Sequence, residues 1–361
     1  MLLEILRGNG IRDQVLSWFT SYLTGRQQLV CINGCKSKET VLNCGVPQGS
    51  ILGPILFTLY TSSLGHVLRK RNSNYHFYAD DSQLYVSFKP KSPLEIQNAS
   101  VVMESCIDAV RQWMNFHRLK MNNTKTEVLL ISSIRRSIPN PLPLRMGDSV
   151  VRVVHEARNI GVIFDSYLKM DKQVGNICKR CFCHLRNLSR LRPYLRQSAL
   201  EQLVHCFISS LLDCNNALLL GTTDSNLSKL QKVQNAAARI ITGTRKREHI
   251  TPVLKRLHWL PVRQRIEFKI LLLVFKCIQG LAPAYLCELV SYNIADRTLR
   301  SNDQLQLEIP FTRSAMLYER SFSVAGPRLW NALPQEVRLS TTVCSFKSKL
   351  KTQLFKAAYV F

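Results

Sequence analysis

Phe77-Tyr-Ala-Asp-Asp81 lies between two runs of strand character, Tyr75–Tyr78 and Gln83–Phe88. Two adjacent carboxylates in an apolar stretch repel each other and resist desolvation, so the chain should turn at Ala79-Asp80-Asp81 and expose them. Asp is a good turn residue, and a structural turn alone would account for the pair. Paired carboxylate oxygens also suit Mg²⁺, a hard cation that takes oxygen ligands. Adjacent side chains of a regular strand point to opposite faces. Only one of the two is then a full metal ligand, unless the turn redirects the other.

Working outward, Gly45-Val-Pro-Gln-Gly-Ser50 reads as a turn leading into an apolar helix over Ile51–Leu68. Upstream, Arg12–Thr24 places Val15, Phe19, Tyr22 and Leu23 on one helical face, and Gly25 suits the stop. Gln28–Ile32 and Glu39–Asn43 read as a hairpin through Asn33-Gly34. Pro93–Leu119 reads as an amphipathic helix, and Glu127–Ser132 and Asn159–Phe164 as buried strands. Beyond about residue 171 the texture becomes helical. Ser198 with Glu201 forms a capping-box pattern. Leu227, Leu230, Val233, Ala237 and Ile240 keep helical spacing until Gly243. Pro252 and Pro261 read as first-turn prolines of two helices, the second ending at Gly280. Leu305, Leu307 and Ile309 alternate like a strand, and Phe346, Leu350 and Leu354 stripe a final Lys-rich helix.

The 361 residues are 46% apolar and 20% charged, which excludes wholesale disorder. A net charge of +25 suggests a polyanionic partner, most often nucleic acid. Residues 1–170 carry net +8 and residues 171–361 net +17, so the second half holds most of that charge. No signal peptide and no apolar run of membrane-spanning length are legible, so an intracellular protein of cytoplasm or nucleus, with no membrane partner, is the expectation. The 12 cysteines are scattered, as expected of reduced thiols. Cys178, Cys181, Cys183 and His184 have zinc-ligand chemistry, but a helix spreads them over more than one face. No His pairs convincingly with a Ser or Cys nucleophile, so a hydrolase reading is weak.

The sequence resembles the reverse transcriptase of non-LTR (LINE-type, jockey-like) retrotransposons over almost its whole length. Gly45-Val-Pro-Gln-Gly-Ser-Ile-Leu-Gly-Pro-Ile-Leu-Phe57 and Phe77-Tyr-Ala-Asp-Asp-Ser-Gln-Leu-Tyr85 carry the resemblance most strongly. Gly10-Ile-Arg12, Trp18, Tyr22-Leu23, Arg26-Gln27, Asn122, Lys125-Thr-Glu127 and Asn159-Ile-Gly-Val-Ile-Phe-Asp165 add to it. Leu257-His-Trp-Leu-Pro261 and Trp330-Asn-Ala-Leu-Pro334 resemble the tail of the same elements.

The resemblance implies an α+β fold: a partial polymerase palm, an antiparallel sheet with helices, over residues 1–170. A helical thumb would occupy residues 171–250, and a basic, mostly helical C-terminal region residues 251–361. The implied reaction is nucleotidyl transfer, adding dNTPs to a DNA primer 3′ hydroxyl on an RNA template with Mg²⁺. Asp80 would be the metal ligand beside the primer end, and Asp81 its more peripheral neighbour. Pro47, Gln48, Gly49, Tyr78 and Ala79 would meet the incoming nucleotide and template base. Lys125 would lie near the triphosphate as charge partner or proton donor. Gly161 and Val162 would steady the primer end. Arg245, Lys246, Arg247, Lys347, Lys349 and Lys351 are candidate contacts to the nucleic-acid backbone.

The family carries a further essential Asp on a strand expected just ahead of Met1, with a basic fingers region before it. The 361 residues are therefore expected to hold an incomplete two-metal site and to be inactive alone. The hairpin around Asp80 would keep an unpaired side, which a partner could cover. The alternative reading is a non-catalytic nucleic-acid-binding remnant, or a degenerate translated element.

Overall fold

Ser92 opens the longest helix among the described residues. Its hydroxyl accepts the Glu95 amide at 3.3 Å, and Pro93 supplies a preset first-turn φ. The Glu95 carboxylate turns back to accept the Lys89 amide at 2.9 Å, which fixes the entry of the chain. The helix runs Pro93–Phe116 and buries Ala99, Cys106, Val110 and Trp113 along one stripe. In a computed structural model, the described residues are all except 47–48, 72, 90–91, 134–142, 148, 294–304, 312–318 and 360–361. They form two compact units, Met1–Val154 and His155–Phe361.

The first unit begins with α1 (Leu2–Gly8) and α2 (Asp13–Leu23). A long hairpin follows. Its base pairs β1 (Arg26–Gln28) with β4 (Thr40–Leu42), and its tip pairs β2 (Cys31–Ile32) with β3 (Cys35–Lys36) around Asn33-Gly34. The expected helix over Ile51–Leu68 is two helices, α3 (Gly53–Thr61) and α4 (Leu64–Arg69). Thr58, Thr61 and Ser62 hydroxyls each bond a carbonyl of the same helix three or four residues back, and Ser62–Ser63 breaks the run. Then come β5 (Asn74–Tyr78), β6 (Asp81–Tyr85) and α5, the Pro93–Phe116 helix. The predicted second strand, Gln83–Phe88, is thus shifted toward the N-terminus. β7 (Glu127–Leu129), β8 (Arg145–Met146), β9 (Ser149–Val150) and β10 (Arg152–Val154) complete the unit, with β7 and β10 parallel. Two small cores hold it together. One packs Leu64 and Leu68 against Cys106, Val110 and Trp113, with Tyr75 and Leu84 of the hairpin on its rim. The other joins Ile107 to Leu144, Met146 and Val151.

The second unit opens with a hairpin, β11 (Glu156–Asn159) and β12 (Val162–Asp165), and is helical thereafter. Its main helices are α6 (Asp171–Leu191), α7 (Gln197–Val204), α8 (Ser210–Asp213) and α9 (Asp224–Thr242). They continue with α10 (Thr251–Arg256), α11 (Val262–Ile278), α12 (Ala284–Cys287), α13 (Phe322–Asn331), α14 (Gln335–Arg338) and α15 (Val343–Tyr359). One continuous apolar core runs from Val162 to Tyr359. α9 ends as its sequence suggests: Gly243 takes φ 75° and its amide caps the Arg239 carbonyl at 2.8 Å. Pro252 sits in the first turn of α10, whereas Pro261 is the N-cap of α11. The capping box at Ser198 does not form, because α7 starts two residues earlier than that cap requires and Arg196 occupies the cap. The late strand shrinks to one antiparallel bridge, Tyr292 to Leu307. The fold is α+β, mostly helical with small two-stranded sheets. Among the described residues, no helix is long and apolar enough to cross a membrane.

Candidate active site and nucleic-acid surface

Register decides how the two aspartates are presented. Tyr78 pairs with Asp81 and Tyr75 with Leu84, so the turn is only Ala79-Asp80 and Asp81 is already in β6. Ala79 takes φ 52°, a left-handed conformation that costs an alanine roughly 1–2 kcal/mol. Alternation along the strands puts Tyr75 and Leu84 on the core face and His76, Tyr78, Gln83, Tyr85 and Asp81 on the other. On that outer face His76 and Tyr85 stack at 5.5 Å, with the Tyr85 hydroxyl 3.4 Å from His76 Nε2. Asp80 and Asp81 are both exposed. The arrangement offers one carboxylate at the turn and one on the outer face.

The loop before α3 is tied down by an arginine that the sequence reading gave no specific role. Arg26 donates to the Leu23 carbonyl at 3.1 Å and to the Cys44 and Gly45 carbonyls. Gly49 takes φ 83°, where an added Cβ would meet no described side chain or backbone within 4 Å, and the Ser50 hydroxyl accepts the Gly53 amide at 3.1 Å. Pro47 and Gln48 lie outside the described residues. Lys125 is exposed and ends a 3₁₀ turn in which Asn122 Oδ1 accepts its amide at 3.3 Å. Gly161, at φ 78°, forms with Ile160 the turn between β11 and β12, and Val162 is buried beneath it.

In the second unit Arg245, Lys246 and Arg247 are exposed on a braced loop. Arg239 bonds the Glu248 carbonyl at 3.0 Å, and the Glu248 carboxylate accepts the Arg245 amide at 2.8 Å. Lys347 and Lys351 stand one turn apart on α15, while the Lys349 ammonium leans to the Glu336 carbonyl at 3.1 Å.

The sequence reading passed over a longer basic feature. α6 buries Val174, Ile177, Cys181, Leu185 and Leu188, and its opposite side carries Lys172, Lys179, Arg186 and Arg190, with Arg180 beside them. At 1.5 Å per residue this stripe is about 27 Å long. Lys172 pairs with Glu156 at 3.3 Å. Among the described residues, no acidic side chain forms an ion pair with Lys179, Arg180, Arg186 or Arg190. The i, i+7, i+14, i+18 spacing was visible in the sequence, behind the cysteines that drew the zinc reading.

Those cysteines are spread around α6. Cys181 is buried in the core, Cys183 is exposed, and His184 stacks on Phe207 at 5.3 Å. Burial, helped by neighbouring Cys178, pushes the Cys181 thiol up to about 12. The thiolate is the reactive form. Maleimide at pH 8 should therefore label Cys183 and leave Cys181 unmodified until the protein unfolds, as peptide mapping can show. Equal labelling of both in the folded protein would contradict this packing.

The first unit thus presents an Asp-Asp hairpin turn and a glycine-marked loop before a helix, and the second unit carries an exposed basic helix face. Residues 4–164 match the family described as "Reverse transcriptase (RNA-dependent DNA polymerase)". Over 235 residues the chain is 26% identical to the "Probable RNA-directed DNA polymerase from transposon BS" of Drosophila melanogaster, covering 62% of this chain and 25% of that protein. It is 25% identical over 172 residues to the "RNA-directed DNA polymerase from mobile element jockey" of Drosophila funebris, covering 46% and 18%. It is 26% identical over 238 residues to the "Probable RNA-directed DNA polymerase from transposon X-element" of Drosophila melanogaster, covering 62% and 24%. The chain thus spans about a quarter or less of the length of these relatives. No solved structure matches it significantly. Over residues 4–164, a little under half of the chain, the similarity is to reverse transcriptases of LINE-type mobile elements.

Proposed function

We propose that this chain carries part of the catalytic palm and the nucleic-acid grip of an RNA-directed DNA polymerase, and does not polymerise by itself. The observation that carries the reading is the exposed Asp80-Asp81 pair at a hairpin turn inside the matched domain. In this reading residues 1–170 are palm, 171–250 thumb and 251–361 the basic C-terminal region. The ligands are an RNA template, a DNA primer and dNTPs.

The donor set fits one hard cation such as Mg²⁺: two exposed carboxylates, with water able to fill the remaining positions. It does not complete a two-metal site. Among the described residues, no three or more His, Cys, Asp or Glu side chains converge. Asp80 and Asp81 would hold that one cation, which would supply positive charge beside the reacting phosphate oxygens. The chain's own residues bind and orient. Asp80 stands beside the primer end and Asp81 behind it. Lys125 offers a cation to the triphosphate. Gly49, Tyr78 and Ala79 would meet the incoming nucleotide and template base, a role that Pro47 and Gln48 carry by the resemblance alone, and Gly161 and Val162 would steady the primer. The outer edges of β5 and β6 have no strand partner among the described residues, so another strand could pair there.

Primer extension on an RNA template with Mg²⁺ and labelled dNTPs tests this. The expected result is no incorporation above the Asp80→Ala background. Template-dependent incorporation that Asp80→Ala abolishes would overturn the inactivity and keep the polymerase assignment. A second reading, a nucleic-acid-binding remnant without catalysis, is favoured by the α6 cations Lys179, Arg180, Arg186 and Arg190, which form no ion pair among the described residues. It expects hybrid binding with no dependence on Asp80.

A further inference from the structure

We propose that Arg320 is a positioning residue that locks the β11–β12 hairpin from the far end of the sequence, so that the C-terminal region is a working part of the primer grip. The primer role of the hairpin rests on the function proposed above; the lock itself rests on geometry.

The chain leaves β12 at Asp165 and enters α6 at Asp171. Two residues in between take left-handed backbone, Leu168 at φ 51° and Met170 at φ 66°, which L side chains disfavour. The loop holds because it is over-determined. Asp165 Oδ1 accepts the Tyr167 and Lys169 amides at 3.0 Å each, and Oδ2 accepts the Met170 amide at 2.7 Å. Thr222 donates to the Lys169 carbonyl at 3.4 Å, and Asn226 donates to Asp171 at 2.7 Å. On the strand side, buried Gln173 accepts the Ile163 amide at 3.0 Å.

This folding turns the Leu168 carbonyl toward Arg320, whose Nη1 donates to it at 2.9 Å. Nε of the same guanidinium donates to the Leu220 carbonyl at 2.8 Å. One planar fork therefore joins the hairpin exit to the turn before α9. The Arg320 stem lies on Gly221, at φ 65°, where an added Cβ would come within 2.5 Å of Arg320 Cγ. Burial disfavours the Arg320 charge, and the nearby Asp165 carboxylate sustains it. A lysine would keep that charge but lose the rigid fork.

The test uses the full 361-residue chain and an RNA–DNA hybrid whose primer ends in a photoreactive nucleotide. Total affinity should stay within about twofold in Arg320→Gln, because phosphate contacts elsewhere supply it. Crosslinking of the primer end to residues 156–165 should fall about tenfold or more, the scale of a lost hydrogen bond to a charged group. Arg320→Lys should fall in between. Amide exchange at Tyr167, Lys169 and Met170 should quicken in parallel. If Arg320→Gln does not fold, Gly221→Ala, which displaces the arginine stem, carries the same expectations. Faster exchange with unchanged crosslinking would make Arg320 merely structural and overturn the proposal. Unchanged exchange would overturn the lock. A wild-type primer end that never crosslinks to the hairpin would overturn the primer role, while the exchange data still judge the lock.

Discussion

The affinity of this chain for an RNA–DNA hybrid should fall roughly a thousandfold or more as salt rises from about 50 to about 200 mM. The second unit, His155–Phe361, carries net +17, and its exposed cations include groups on α6, on the 245–247 loop and on α15. Each phosphate neutralised releases counterions, so log affinity should decline linearly with log salt at about −0.9 per contact on duplex. The strongest group is the α6 stripe of Lys179, Arg180, Arg186 and Arg190, whose charges no neighbouring carboxylate offsets among the described residues. The Arg245–Arg247 loop adds a second group, held in shape by Arg239 and Glu248. On α15, Lys347 and Lys351 should matter more than Lys349, which is engaged with the Glu336 carbonyl. Changing Lys179, Arg186 and Arg190 to Gln should flatten the slope by up to about 2.7, equally for unrelated sequences, because phosphate contacts do not read bases. A fluorescent hybrid titrated at several salt concentrations measures this. Binding insensitive to salt would leave the charge unexplained and favour the degenerate-element reading.

The parts legible in the sequence are those whose signal is local. Pro93 announces the start of α5 and Gly243 the end of α9, because starts and stops are chosen by a few adjacent groups. The Asp80-Asp81 hairpin was legible for the same reason, although its register was not. A two-residue turn and a three-residue turn differ by which face Asp81 takes, and only pairing decides that. The failures share a different cause. Ser198 matched a capping box, but the chain entered α7 at Gln197 after a 3₁₀ turn at Arg192–Tyr194. Ser62 and Ser63 broke an apolar run whose hydrophobicity looked continuous. The most consequential contacts of Arg26 and Arg320 are to backbone carbonyls, which carry no residue-specific pattern. Nothing in the sequence near residue 320 points to residues 168 and 220.

Trp330→Ala should destabilise the second unit by about 3–5 kcal/mol, the range for truncating a buried aromatic side chain. A domain has only about 5–15 kcal/mol to lose, so the variant should be close to unfolding at 37 °C. Trp330 is 1% exposed, and its ring stacks on Phe346 at 5.8 Å, which stacks on Phe275 at 4.3 Å. Its indole Nε1 donates to the Leu305 carbonyl at 2.9 Å. Asn331 beside it acts as a substitute strand: Oδ1 accepts the Leu307 amide and Nδ2 donates to the Leu307 carbonyl, both at 2.8 Å. The other side of that segment pairs with the main chain of Ser291 and Asn293. The Trp-Asn pair, read from sequence only as a family signature, therefore holds an orphan strand onto the helical core. Trp330→Phe keeps most of the ring and loses one donor, so it should cost about 1–3 kcal/mol. Asn331→Ala strands two backbone groups and should cost about as much, since each is left without a partner in a part-buried setting. Denaturant unfolding followed by circular dichroism gives the order, and amide exchange at Leu307 reports the strand directly. If Trp330→Ala cost less than about 1 kcal/mol, well below the usual range, the strand and the aromatic stack could not be what closes this core.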